Sequence, residues 1–249
     1  MNITPVWVLG FSDKDVLVSC IDGGLYFEAD DLKEAFVRHC VISTTAGLFL
    51  FLTPSFVLGC RELLRLQRPR QAHGARDHHG TRCAGQVAAR KNNAYNSKAA
   101  GIRILGGRIT TTDEATALTL YGYDKVGVYS CSWRPRDNGQ TMNAPKNLVR
   151  KAFSGINNGR QGKGSIYVFA SGNGGRHEDQ CNFDGYTNNI YSVTVGAVDH
   201  TGRHPTYLET CAANMIIDMA YSSGSGKRIV CYLSFTINWF FFAPLITLR

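Results

Sequence analysis

The sequence predicts an α/β protein built on a doubly wound parallel sheet. Short apolar runs rich in β-branched and aromatic residues recur along the chain, with segments of amphipathic helical spacing between them. The polar, glycine-rich clusters IDGG, SWRPRDNG and ASGNGG each follow directly on an apolar run. Apolar strands alternating with helices imply parallel pairing and a sheet covered on both faces. In such sheets functional groups gather at the carboxyl ends of the strands, which is where these clusters fall.

Taken in order, DVLVSCID (Asp15 to Asp22) reads as the first buried strand, and HGTRCAGQVAA, opened by His79, as a helix of small residues. GIRILGG, from Gly101, is a second strand. TTDEATALTLYG is a helix capped by Thr111 or Thr112, with Glu114 in its first turn. KVGVYSCSW is a third strand, and APKNLVRKAFSGINNG is a helix that begins near Pro145 and is stopped by glycine. SIYVFAS and NIYSVTVGAV are two further strands, separated by a loop far more polar than a plain connection requires: SGNGG, RHEDQ, a cysteine and DGYTNN.

Composition narrows the function classes. At 249 residues and 44% hydrophobic content the chain can bury a sizeable core, so a folded protein is expected rather than a disordered one. The net charge of +8 would by itself suit an acidic partner. Much of the excess lies between Arg61 and Lys91, without interleaved aromatics or an RNA-binding signature, so no nucleic-acid partner is expected. Eight cysteines include no CxxC pair, which argues against structural zinc. A GxGxxG turn after the first strand is missing; IDGGLYF stands there and disfavours a dinucleotide site. MNITPVWVLGF has neither the basic start nor the apolar run of a signal peptide. Val41 to Cys60 and Ile229 to Leu248 are uncharged over twenty residues, long enough for a membrane span, though each contains proline.

Three strand ends could assemble a catalytic site. Asp22 closes the first strand, where a carboxylate can orient the imidazole of His79. Asn173 places a side-chain amide where an oxyanion could be received, beside glycines that let a substrate backbone approach. Each has a plainer reading alone: a helix cap, a turn histidine and a simple GNGG turn.

With their flanks the signals are specific. HGTRCAG, SCSW, YVFASGNGG, CNFDGYTN and YSSGSG resemble the catalytic domain of the kexin/furin family of subtilisin-like proprotein convertases, especially the fungal kexins. The resemblance covers Asn2 to Phe36 and His79 to Gly226. It implies a subtilisin-like fold and a calcium-dependent serine endopeptidase of the secretory pathway, at the Golgi membrane or cell surface. Such an enzyme cuts proproteins after paired basic residues, with a triad in the order Asp, His, Ser.

By the same resemblance, Asp22 and His79 are the triad acid and base and Asn173 the oxyanion donor. Asp137 and Asp184 line the S1 pocket, and Glu114 belongs to the S4 subsite. Asp137, Asp179 and Glu209 form a calcium site beneath S1, carboxylates being suitable ligands for so hard a cation. Asp31 and Asn93 form a second calcium site. Cys181 and Cys211 pair in a disulfide, which suits an oxidising lumen, and Cys83 is a free cysteine beside the catalytic histidine.

The departures carry expectations of their own. No Gly-Thr-Ser follows YSSGSG within these residues; KRIVCYLSFTINWFFFAPLITLR stands there, and Ser222, Ser223 and Ser225 lie in the wrong motif to attack. Residues 1–226 therefore read as a partial peptidase domain, truncated at the carboxyl end of the sheet. Within it 37–78 is atypical, as translated intron or shifted-frame sequence would be, and 227–249 is an apolar tail through which membrane association is conceivable. The chain as given is expected to be inactive, with a non-catalytic protein that binds basic peptides as the alternative. Gly23 follows Asp22 where the family has a second Asp, which weakens P2 selectivity. Arg134 and Arg136 stand in the S1 motif, where cations oppose a basic substrate unless they point outward into screening solvent.

Overall fold

The structure is a computed structural model that describes residues 4–26, 29–36, 78–89, 94–105, 109–119, 124–134, 136–142, 154–199 and 201–219. Its elements, in chain order, are α1 (Thr4–Val8), β1 (Leu17–Asp22), α2 (His78–Ala88), β2 (Lys98–Arg103), α3 (Thr111–Thr119), β3 (Val128–Cys131), α4 (Gly155–Gly162), β4 (Ile166–Ala170), β5 (Val193–Val198) and β6 (Asn214–Met219). Two short 3₁₀ turns, Gly174–His177 and Cys181–Phe183, lie between β4 and β5. The six strands form one sheet in the order β2-β1-β3-β4-β5-β6, every neighbouring pair parallel.

The expected double cover is present, and β1 shows how the sequence specifies it. Successive strand side chains point to opposite faces. Leu17 and Ile21 join Leu118 of α3, Tyr129, Tyr167 and Phe169 in one buried cluster. Val18 packs instead with Val87 and Ala88 of α2, and Cys20 with Ala84 of the same helix. The small residues of α2 let it lie close on the sheet. On the opposite face the rings of Tyr129 and Tyr167 stack with centroids 4.8 Å apart. The Tyr167 hydroxyl donates to the Leu118 carbonyl at 2.9 Å, so the buried phenol keeps a partner.

Element boundaries moved where local chemistry outweighed the apolar pattern. β2 begins at Lys98, three residues before the predicted strand, because Ala99 and Ala100 pair with Val18 and Ser19 despite their low strand propensity. The cap of α3 is Thr110 rather than Thr111 or Thr112. Its hydroxyl accepts from the Asp113 N–H at 3.2 Å while Asp113 accepts from the Thr110 N–H at 2.9 Å, a reciprocal box. α4 is interrupted by non-helical angles at Gly159, Arg160 and Gln161. The segment 143–153, where that helix was expected to start, lies outside the described residues. β6 has no counterpart in the sequence reading, and it extends the sheet beyond β5. No helix among the described residues is long and apolar enough to cross a membrane. Val41 to Cys60, Ile229 to Leu248 and the whole of 37–77 lie outside them.

Candidate active site

The carboxyl end of β1 and the first turn of α2 meet at Asp22 and His79. Asp22 is buried and His79 half-buried. The His79 Nδ1 lies 2.9 Å from both Asp22 oxygens, and the Gly23 N–H donates to Oδ1 at 2.6 Å. Gly80 makes this approach feasible, since a Cβ there would sit 2.2 Å from the Gly24 carbonyl oxygen and 2.8 Å from the Asp22 Cβ. Any side chain at 80 would therefore push α2 off the end of β1. One turn along the helix, the buried Cys83 Sγ lies 3.9 Å from the same Nδ1. Asp22, His79 and Cys83 also satisfy the spacing of metal ligands, but Nδ1 is committed to the carboxylate.

The Asp22 hydrogen bond, with help from Cys83 and against the opposing effect of burial, holds the imidazole pKa up at about 10. A group whose pKa is raised on folding stabilises the fold fully below its unfolded value, about 6.5, and loses that contribution as pH rises through its folded value. The His79–Asp22 pair is thus expected to stabilise the fold at neutral and acid pH, with its contribution fading towards pH 10. Following the His79 ring protons by NMR should give a raised pKa that Asp22→Asn returns towards the ordinary histidine range. An unchanged titration in that variant would show that the carboxylate does not set it.

Asn173 is exposed, three residues beyond β4, and leads into the turn Gly174–His177. On the same edge the expected acidic residues converge: Asp137 on the segment after β3, Asp179 after that turn, and Glu209 ahead of β6. Their carboxylates lie close enough to share an ion. Glu209 is fully buried and accepts the Gly174 N–H at 2.7 Å; Asp179 accepts from Gly139 at 3.1 Å and Gln180 at 2.9 Å. Gly174 is required here as well, because a Cβ would fall within 3 Å of all three acids. Cys181 and Cys211 are bridged, with Cα atoms 5.5 Å apart, which ties the loop to the segment bearing Glu209. Cys20, Cys83 and Cys131 are free and buried.

The centre of this cluster is occupied by Arg134, which is where the structure departs from expectation. The guanidinium points inward, with its side chain only 8% exposed. Nε donates to Asp137 at 2.7 Å and Nη1 to the Glu209 Oε2 at 2.6 Å, while Nη2 closes on both Asp137 and the Glu209 Oε1. Asp179 is 3.5 Å from Nη2. The carboxylate set thus fits a guanidinium, not an added calcium ion. Burial pushes Glu209 up to about 7, against the pull of the Gly174 N–H and of Arg134. Sequence reasoning noted Arg134 but left its direction open.

Asp184 is buried on the same edge. Its Oδ1 accepts the Tyr186 N–H at 2.8 Å, and its Oδ2 is buried with no hydrogen-bond partner. Burial raises its pKa to about 6. Tyr186, which sequence reasoning missed, packs edge-on against Trp133 and donates its hydroxyl to Glu114, linking the S4 and S1 candidates. Its only sequence signal was an aromatic in a polar loop. Asp31 is described, but its expected partner Asn93 is not.

The family model that matches this chain, that of the Subtilase family, covers residues 13–244. The chain belongs to the subtilase family. Subtilases are serine proteases, and the similar curated relatives of this one agree with that class. Protease KEX1 of Kluyveromyces lactis is 47% identical over 236 residues, covering 92% of this chain and 28% of the relative. Kexin of Saccharomyces cerevisiae is 44% identical over 237 residues, covering 92% and 26%. The dibasic-processing endoprotease of Yarrowia lipolytica is 44% identical over 237 residues, covering 92% and 22%. This subtilase thus spans about a quarter of the length of those relatives. Its fold is that of the serine protease of Aeromonas sobria, with TM-score 0.66 over 86% of this chain and 37% of that one, at 17% identity.

Proposed function

We propose that this subtilase chain supplies the acid, the base and the oxyanion amide of a kexin-type endopeptidase that cleaves proproteins of the secretory pathway after basic residues. The observation that carries the reading is Asp184. A buried carboxylate with one oxygen held by Tyr186 and the other without a hydrogen-bond partner has an acceptor left over that a basic side chain would satisfy. The Yarrowia lipolytica relative, a dibasic-processing endoprotease, points the same way.

In this reading His79, once it has lost the proton that its raised pKa holds at neutral pH, takes the proton of an attacking serine through Nε2. Asp22, bonded to Nδ1, fixes the tautomer and stabilises the imidazolium that forms. Asn173 donates to the developing oxyanion. Glu114, held by Tyr186, contributes negative charge further from the scissile bond. Residues 1–226 act as the peptidase portion and 227–249 as a tail outside it. Calcium dependence is not carried by Asp137, Asp179 and Glu209 while Arg134 binds their oxygens; Asp31 and Asn93 are the remaining pair for such an ion.

The alternative, a protein that binds basic peptides without cutting them, is favoured by the absence of Gly-Thr-Ser from these 249 residues. Both readings need Asp184. Titration calorimetry with a peptide ending in Lys-Arg should show binding that strengthens as pH rises through about 6, where Asp184 ionises. Affinity should fall about tenfold or more when the terminal Arg is replaced by norleucine, or when Asp184→Asn is introduced. Equal affinity for the Arg and norleucine peptides would remove basic specificity from the proposal.

A further inference from the structure

We propose that Arg134 is a built-in counter-cation for the acidic cluster, so that Asp137, Asp179 and Glu209 are held together without a divalent ion. Three carboxylates at this spacing repel one another and need positive charge between them. The guanidinium provides it in a form suited to the task, as a planar fork of fixed donors that can address two carboxylates in different directions at once. Nε and Nη2 address Asp137, Nη1 and Nη2 grip Glu209, and Asp179 flanks them.

The niche is shaped for that group. Gly172 has φ +116, and a Cβ there would lie 2.3 Å from the Arg134 guanidinium carbon, so the ring of acids is reached across a residue that lacks a side chain. Asp179 also accepts the backbone N–H groups of Gly139 and Gln180, and Glu209 that of Gly174. Calcium takes six to eight oxygens at about 2.3–2.6 Å. It could not reach these oxygens unless Arg134 left, and with three acids against one fixed cation the cluster is already neutralised in part. The clamp is therefore constitutive: it does not report calcium concentration and does not open on chelation. This holds whether or not the chain hydrolyses peptides.

The test is thermal unfolding of the full chain, with its disulfide intact, in millimolar calcium chloride and in EDTA. Wild type and Asp179→Asn should respond to calcium identically, because the cluster contributes nothing to any shift. Arg134→Gly should be less stable than wild type in EDTA and recover by about 3 °C or more in calcium, since the vacated carboxylates then accept the ion. If Arg134→Gly is too unstable to purify in EDTA, refolding yield is the readout, with folded protein expected only when calcium is present. Arg134→Lys, which keeps the charge but not the fork, should fall between the two. A calcium shift in wild type that exceeds that of Asp179→Asn by about 3 °C or more would overturn the proposal. So would an Arg134→Gly protein as stable as wild type and equally indifferent to calcium.

Discussion

A polypeptide of these 249 residues is expected to leave a fluorophosphonate probe unreacted and a Lys-Arg fluorogenic peptide uncut. The Asp22–His79 pair is in place at 2.9 Å and Asn173 follows β4, two strands away from β1 in the sheet, while the sequence Gly-Thr-Ser does not occur in these 249 residues. In subtilisin, loss of the nucleophile costs about 10⁶-fold in kcat and leaves only what binding and the oxyanion site supply. A chimaera in which 37–78 and the segment after Gly226 are replaced by intact kexin-type sequence, with the segment after Asn93 restored and a propeptide supplied, should react with the probe and cut the peptide. His79→Ala in that chimaera should abolish both. Stoichiometric labelling of the unaltered chain, blocked by His79→Ala, would mean that one of its own serines is activated and that the nucleophile was misjudged.

Breaking the Cys181–Cys211 bridge is expected to cost about 3–4 kcal/mol, the chain-entropy value for a closed loop of this length. For a chain of this size that corresponds to a fall in melting temperature of about 10 °C. The double variant Cys181→Ala/Cys211→Ala should show it in a thermal scan, and reduction of the wild type should reproduce it. The bridge joins the loop that holds Asp179 and Asp184 to the segment that holds Glu209, so the loss should appear first as weaker binding of basic peptides. Retention of both stability and binding after reduction would show that the loop is held by its hydrogen bonds alone.

How much of this could be read from the sequence depended on whether the determining contacts were local. The strand ends were legible because a buried parallel strand must stop where its side chains turn polar, and Asp22 and the acids after β3 and β4 mark those stops. The small residues following His79 likewise announced a helix lying close on a sheet. The direction of Arg134 was not legible. An arginine in a polar loop is ordinarily solvated, and what draws this one inward is the gap at Gly172 together with Glu209, both distant in sequence. β6 was missed because NMIIDM is short and follows a turn at Cys211 without a helix before it, so no alternation marked it. The Thr110 cap was missed by one position because three threonines in succession offer equivalent hydroxyls, and only Asp113 chooses among them.

The all-parallel sheet has a kinetic consequence. Leu17 pairs with Lys98 and Val18 with Val128, so β1 gains its partners only after long stretches of chain have been brought back upon it. Closing such loops costs entropy before any ladder hydrogen bond repays it, and folds dominated by non-local pairing cross high barriers. While the barrier is being crossed, β1 exposes two unpaired edges and the side chains that the finished sheet buries, a template for intermolecular strand addition. Refolding yield of this chain should therefore fall as its concentration rises, and the same slow topology should delay unfolding once the sheet has closed.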